Sequence, residues 1–325
     1  MSFTFTRRGA ASALLAFVAG NAAAEGAYPN RAIKMYVPAA PGGAADFVAR
    51  IVGPRLGMAL GESVVIENQA GASGTIAVAM VARSPADGYN VIMAQSTSVV
   101  IAPHLYAKLP YDTLKDLTPV TLVALLPNIL VVHPSVEATT VKELIALAKA
   151  KPGTLNFSSA GAGAPSHLAG EMFNSAAGVK LTHVPYKGAG PAVNAVLANE
   201  VQVMFAPIVA VMAQIKAGKL RAIAVTSAKE AAAAPGVPTI ASAGLPGYEI
   251  SSWFGIFAAA RTPRPVVDRL YQETRKVLQL PEVRGQLEKS GGEAVGSDPE
   301  AFAAFVRTEF KKYRDIVKAT GAKLD

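Results

Sequence analysis

The sequence predicts an α/β fold built on mostly parallel sheets. Short runs of β-branched and aromatic residues alternate with longer stretches whose apolar residues recur at helical spacing. Glycine and proline are concentrated at the joints between them. Strands that alternate with helices are typical of parallel sheets, because a parallel strand is reached only through a crossover connection.

Composition excludes several classes of protein. The 325 residues are 51% hydrophobic and 17% charged, which predicts a folded globular chain. Cysteine is absent, so there is no disulfide, thiolate zinc site or cysteine nucleophile. The four histidines are far apart in sequence, and no pair has helical ligand spacing. We therefore expect no metal and no cofactor.

The net charge of +8 is scattered along the chain. Basic residues form no stripe and are not interleaved with aromatic residues. A nucleic-acid-binding groove requires such a stripe. We therefore expect no nucleic acid as a partner.

Residues 1–24 have the pattern of a secretory signal peptide. Arg7-Arg8 supplies the positive region, an apolar run follows from Gly9 to Gly20, and small residues end at Ala24. The apolar run is shorter than the ~20 residues that span a bilayer. We expect cleavage near Ala24 and export of residues 25–325, with the paired arginines leaving the export route open.

The remaining elements follow in order. Strands are predicted at 33–37, 64–66, 90–94, 129–132, 155–158, 181–184, 201–205 and 220–225. Helices are predicted at 44–60, 75–83, 141–150, 166–176, 191–198 and 209–217, with two longer ones at 265–280 and 299–320.

Two glycine-rich loops are candidate binding sites. In the first, residues 41–46, a strand leads through Gly42-Gly43 into a helix whose first N–H groups favour an anion. In the second, residues 158–167, small residues permit close approach of a ligand, and Pro165 suits the first helical position. A weaker third loop covers 186–191. Taken singly, each loop is more often a tight turn that binds nothing, because such loops recur throughout α/β folds.

Familiar catalytic motifs are missing from the sequence. The second loop lacks the third glycine of a dinucleotide fingerprint, and there is neither a phosphate-binding P-loop nor a serine nucleophile elbow. His167 with Ser158 or Ser159 is the one nucleophile–base combination that the pattern suggests, and it has no visible third partner. A secreted hydrolase using Ser159 and His167 therefore stays an alternative.

A series of motifs resembles the Bug family, the periplasmic solute receptors of tripartite tricarboxylate transporters. The resemblance covers residues 28–325 in one collinear order. The motifs are Pro41-Gly42-Gly43 with Asp46, Glu67-Asn68 with Gly71-Ala72 and Gly74, Pro85-Ala86-Asp87-Gly88-Tyr89, Pro110-Tyr111-Asp112, Lys151-Pro152-Gly153, Ser158-Ser159 with Gly161, Gly163 and Ser166-His167, His183-Val184-Pro185-Tyr186-Lys187-Gly188, Ala217-Gly218-Lys219-Leu220-Arg221, Gly244-Leu245-Pro246-Gly247 and Ser252-Trp253-Phe254-Gly255.

This resemblance implies a two-domain periplasmic binding protein, or Venus flytrap, with two strands crossing at a hinge. We expect the crossings near 117–125 and 251–258. Domain 1 would comprise 25–122 and 253–325, and domain 2 would comprise 123–252. The mature protein would be a periplasmic monomer that delivers its ligand to a membrane permease, or a receptor of the same fold that signals through a partner.

The resemblance also implies that backbone N–H groups of the two loops hold the carboxylates of a small ligand. Asp46 is expected to bond the N–H groups of its own loop, and Arg50 to be solvated or ion-paired. Trp253 either lines the cleft or belongs to the core. The candidate ligand contacts are Pro41, Gly42, Gly43, Ala44, Ala45, Asp46, Ser96, Thr97, Ser158, Ser159, Gly161, Gly163, Ala164, Ser166, His167, Ala206 and Trp253.

One departure from the family bears on the ligand. Ala206-Pro207 stands where the family often carries an aspartate. The ammonium of an amino acid needs an anionic partner in a closed cleft. The sequence therefore favours a dicarboxylate with an apolar middle, aromatic ones such as terephthalate included, provided that Ala206 faces the cleft.

Overall fold

The computed structural model describes residues 28–321 and residue 323, so the expected signal peptide lies outside the described residues. The strands are β1 (Ile33–Val37), β2 (Val64–Asn68), β3 (Asn90–Gln95), β4 (Leu117–Val132), β5 (Asn156–Ser159), β6 (Thr182–Pro185), β7 (Val203–Pro207), β8 (Arg221–Val225), β9 (Ser251–Ala259) and β10 (Glu293–Ala294).

The helices occupy most of the connections between these strands. They are α1 (Ala44–Leu60), α2 (Thr75–Ala82), α3 (Ala102–Leu105), α4 (Thr113–Asp116), α5 (Val141–Ala150), α6 (Pro165–Ala177), α7 (Ala189–Leu197), α8 (Ile208–Lys216), α9 (Arg264–Gln279), α10 (Pro281–Lys289) and α11 (Pro299–Thr320). A 3-10 turn at Ala72–Gly74 and a π-helical segment at Thr97–Ile101 complete the regular structure. No described helix combines the length and apolar character needed to cross a bilayer.

Local sequence accounts for several helix ends. The side chain of Thr140 accepts from the backbone N–H of Glu143, whose own carboxylate accepts in return, so a capping box starts α5. Asp298 caps α11 by accepting from the N–H of Ala301. Gly61 ends α1 in the left-handed conformation, at φ +80°.

In the described part of the chain the strands form one continuous mixed sheet. Its order is β2-β1-β3-β9-β4-β7-β5-β6, and β8 and β10 pair with β4 as well. β1, β2 and β3 are parallel, and so are β5, β6 and β7. The pairings made by β4 and β9 are antiparallel. The predicted α/β class with a mixed sheet is confirmed.

The long strand β4 belongs to two strand groups. Its first part, from Leu117 to Pro127, pairs with β9 in the first strand group, which also holds β1, β2, β3 and β10. From Asn128 to Val132 it pairs with β7 and β8 in the second strand group, which also holds β5 and β6. The exchange of partners falls between Pro127 and Asn128, just after the crossing expected at 117–125.

Three apolar clusters pack the helices against the two strand groups. One packs α1 and α9 on one face of the first strand group. A second packs α7 and α8 on one face of the second strand group. The largest extends over both strand groups and contains residues of α2, α5, α6 and α11. Helix α11 contacts both β4 and α6, so the end of the chain packs against both strand groups.

Candidate functional site

The carboxyl ends of the parallel strands in both strand groups lead to one stretch of β4. Gln95, the last residue of β3, lies opposite Phe254 of β9, which lies opposite Ala124 of β4. Pro207, the last residue of β7, lies opposite Asn128 of β4. Four residues of extended strand cover about 13 Å. The two carboxyl edges, from which both glycine loops emerge, are therefore separated by about the length of a small organic ligand.

The first glycine loop, Pro41–Asp46, is held in place by ionic hydrogen bonds. Asp46 is 3% exposed, and its carboxylate accepts from the backbone N–H of Gly42 at 2.8 Å, from Arg50 Nε at 2.9 Å and from Asn68 Nδ2 at 2.9 Å. Asn68 also donates to the carbonyl of Ala39. These contacts confirm that Asp46 bonds its own loop and that Arg50 is ion-paired.

Hydrogen bonding keeps Asp46 ionised. The contact with Arg50 is the largest cause, and the bonds from Gly42 and Asn68 add to it, so the pKa of Asp46 falls from 3.8 to about 2. All three partners stabilise the charged form. The carboxylate of Asp46 is thus bonded within the protein, so it does not compete with a ligand for the N–H groups at the start of α1.

The amides that follow in the first glycine loop remain open. The N–H groups of Ala44, Ala45 and Asp46 make no hydrogen bond to any described residue. They form the first turn of α1, after an extended Gly43 that provides no side-chain cap. Together with the helix dipole, this arrangement attracts an oxygen anion.

Ser96 lies at the same edge, directly after β3. It is 1% exposed, and its Oγ has no hydrogen-bond partner among the described residues. Thr97 follows at the start of the π-helical segment. A buried hydroxyl without a partner is costly, so this side chain requires a hydrogen-bonding group that the chain does not itself supply.

The second glycine loop, Ser158–His167, satisfies most of its own amides. Ser166 Oγ accepts from the N–H of Ala160, Ser159 Oγ from that of Gly161, and His167 Nδ1 from that of Gly163. The N–H of Ala164 donates to Gly161, whose φ is +131°. Backbone N–H groups without a described partner remain at Ala162 and Ser166.

Ser159 contacts His183 and not His167, its partner in the hydrolase alternative. Its Oγ lies 2.6 Å from His183 Nε2 and also donates to the carbonyl of Gly161. His167 accepts from Gly163 instead, so the structure does not form the Ser159–His167 pair of that alternative. Parallel pairing of β5 with β6 brings His183 here, with Phe157 opposite it, and no sequence spacing indicates that pairing.

The two histidines are stacked on each other. Their ring centroids are 3.9 Å apart, and His183 also stacks on Phe157. Burial, together with the neighbouring His167, lowers the pKa of His183 to about 4, and burial lowers the pKa of His167 as well. Glu171 Oε1 lies 3.7 Å from His167 Nε2, and burial raises the pKa of Glu171.

Ser158, Ala206 and Trp253 have no exposed surface in this structure. The hydroxyl of Ser158 donates to the carbonyl of Ala192. Trp253 packs against Phe302 and donates from Nε1 to Glu309 at 3.0 Å. Of the two roles open to Trp253, the structure assigns the core.

Ala206 lies in the apolar cluster under α7 and α8. The condition for the argument against amino-acid ligands was that Ala206 faces the cleft. Its burial removes that argument, since an aspartate at a position enclosed by apolar side chains would not meet a ligand.

The fold and the facing loop edges define the class of periplasmic binding proteins. The chain belongs to the tripartite tricarboxylate transporter receptor family, whose model matches residues 48–322. It is 35% identical over 298 residues to the protein BugT of Bordetella pertussis, covering 91% of each chain. The resemblance to the Bug family is therefore confirmed.

Two solved structures from Rhodopseudomonas palustris are similar over nearly the whole chain. Rpa4515 with adipate has a TM-score of 0.78 and 34% identity, covering 91% of this chain and 100% of that one. MatC with bound malate has a TM-score of 0.74 and 31% identity, covering 89% of this chain and 100% of that one. Both bound compounds are dicarboxylates.

Proposed function

We propose that this protein captures a small dicarboxylate between the two glycine loops in the periplasm and delivers it to a membrane permease. The observation that carries the proposal is the row of open amides at Ala44, Ala45 and Asp46, together with the unpartnered hydroxyl of Ser96 at the same edge of the sheet. One carboxylate would bind there. The other would bind at the second glycine loop, where Ala162 and Ser166 have open amides.

The number of donors matches the affinity that a receptor needs. Hydrogen bonds to a charged group contribute about 1.5–3 kcal/mol each, and micromolar binding requires about 8 kcal/mol. Four or five donors suffice without an arginine. The adipate and malate bound by the two relatives support this ligand class.

Several finer statements belong to the same proposal. The mature chain begins after Ala24, acts as a monomer, and consists of domain 1 (25–122 and 253–325) and domain 2 (123–252), which close on the ligand. Closure would present the surface that the permease recognises. Ser159 is completely buried, which supports binding without turnover.

The test is a thermal-shift and calorimetric screen of residues 25–325. The panel comprises adipate, malate, succinate, citrate, terephthalate, phthalate, nicotinate, aspartate and glutamate. A ligand at 100 times its Kd adds about 2.7 kcal/mol to the free energy of unfolding, and the melting temperature rises by several degrees. We expect this for at least one dicarboxylate. Aspartate and glutamate count as dicarboxylates here, and a response to nicotinate alone, which has one carboxylate, would overturn the proposed ligand class.

A further inference from the structure

Asn128 carries an unexplained polar group at the point where β4 exchanges partners. The residue is 3% exposed, and its Nδ2 has no hydrogen-bond partner among the described residues. Its backbone is fully engaged, because its N–H donates to Thr226 Oγ1 and its carbonyl accepts from the Thr226 N–H at 2.9 Å. A buried donor in this condition is available to a partner from outside the chain.

Strand register places this side chain on a defined face of the second strand group. Asn128 lies opposite Pro207, and Leu130, two residues along β4, lies opposite Phe205. Leu130 and Phe205 pack in the apolar cluster that contains Leu168 of α6. Because side chains alternate between the faces of a strand, Asn128 ends the row of β4 side chains that lies on the α6 face.

The end of that row coincides with the carboxyl edge of the second strand group. β5 ends at Ser159 and β7 ends at Pro207, both at this edge. Helix α6 begins here, with the open amide of Ser166 in its first turn. A ligand oxygen bound at the second glycine loop would therefore lie at the same sheet edge as an amide donor on β4.

We propose that Asn128 Nδ2 donates a hydrogen bond to an oxygen of the bound carboxylate. This inference rests on the proposed function and adds a specificity-determining residue to it. The Nδ2 amide donates, so a carboxylate, carbonyl or hydroxyl oxygen of the ligand is its matching partner. Since β4 belongs to both strand groups, the bond would also attach the ligand to the strand that connects them.

The experiment compares Asn128→Leu with Asn174→Leu. Asn174 serves as a control because both of its amide atoms are paired with the backbone of Leu181. Asn128→Leu should weaken the binding of adipate, malate or terephthalate about 10- to 150-fold, as expected for one hydrogen bond to a charged group. The melting temperature of its free form should stay unchanged or rise, because a buried donor without a partner is removed. Asn174→Leu should lower the melting temperature and leave the Kd unchanged.

A second variant, Asn128→Asp, retains the shape and replaces the donor by an acceptor. It should weaken dicarboxylate binding more than Asn128→Leu does, because two anions would then face each other. If the wild-type chain binds a dicarboxylate and Asn128→Leu binds it equally well, this inference is wrong and the proposed function stands. If the wild-type chain binds no member of the panel, the proposed function fails and this inference fails with it.

Discussion

The two glycine loops are held in place by different kinds of hydrogen bond. In the first, a buried carboxylate with three donors holds the backbone and leaves the amides of the following helix turn open. In the second, neutral hydroxyl and imidazole groups accept from the loop amides themselves. The first loop thus offers more donors to a ligand. Most N–H groups of the second loop bond to side chains of the loop itself, so few remain for a ligand.

The first prediction concerns loss of the Asp46 carboxylate, which holds the first glycine loop in place. Asp46→Ala should lower the free energy of unfolding by about 2–3 kcal/mol, because three donors lose a charged acceptor. Dicarboxylate binding should weaken more than tenfold, since the loop that carries the open amides is no longer held. Urea denaturation and calorimetry measure the two effects.

The control for this variant is Asp315→Ala, which removes an exposed ion pair with Arg314. Exposed pairs contribute about 0–1 kcal/mol, so the control should bind normally. Equal behaviour of the two variants would contradict the role given to Asp46.

The second prediction compares backbone strain in the two loops. Gly161 has φ +131°, and a Cβ there would lie 3.4 Å from the carbonyl oxygen of Tyr186. Gly42 has φ +82° with open space around it. Alanine should cost about 1–3 kcal/mol at either position and more at Gly161, which lies outside the left-handed helical region. Thermal denaturation of both variants tests the order, and a larger loss for Gly42→Ala would contradict it.

The third prediction concerns the neutral bonds of the second loop. Ser166→Ala removes the acceptor of the Ala160 N–H and should cost about 1 kcal/mol of stability. Ligand affinity should fall less than with Asp46→Ala, because a single bond of the loop is lost. Ser175→Ala, at an exposed position of the same helix, is the matched control and should change neither quantity.

The fourth prediction uses the pH dependence of stability to separate the contribution of His183 from that of Asp46. The pKa of His183 is about 4 in the folded chain against an ordinary 6.5, so the unfolded chain binds the proton first as the pH falls. Stability should therefore decline between pH 6.5 and 4, and His183→Gln should reduce that decline. Asp46, lowered from 3.8 to about 2, adds its own loss only below pH 3.8. Identical pH profiles for the variant and the wild type would contradict the assignment.

The fold was largely predictable because each strand–helix step carries its own periodicity and punctuation. The predicted strand at 90–94 and helix at 299–320 agree closely with β3 and α11. The full length of β4 was not predictable, because its two halves pair with different partners and Pro127 interrupts the apolar pattern. The π-helical segment after Gln95 has no recognisable sequence pattern either.

The loops of the site could be predicted from glycine spacing, but the side chains that complete them could not. Strand pairing brings His183 to Ser159 and places Asn128 opposite the end of β7, and sequence distance conceals both placements. Trp253 is a case in which the sequence left two roles open. A single tryptophan near a crossing strand suits a ligand cleft as well as a core, and only the packing of α11 decides between them.

The position of β9 has a consequence for the order in which the chain can fold. The second strand group is built from one uninterrupted stretch, 128–250, so its contacts can form as soon as that stretch is available. The first strand group is divided in sequence, because β9 lies between β3 and β4 and contributes residues 251–259 to a sheet begun at residue 33. Its sheet must wait for those distant residues, and long-range pairing of this kind is slow. Residues 251–259 therefore complete a sheet that begins at residue 33.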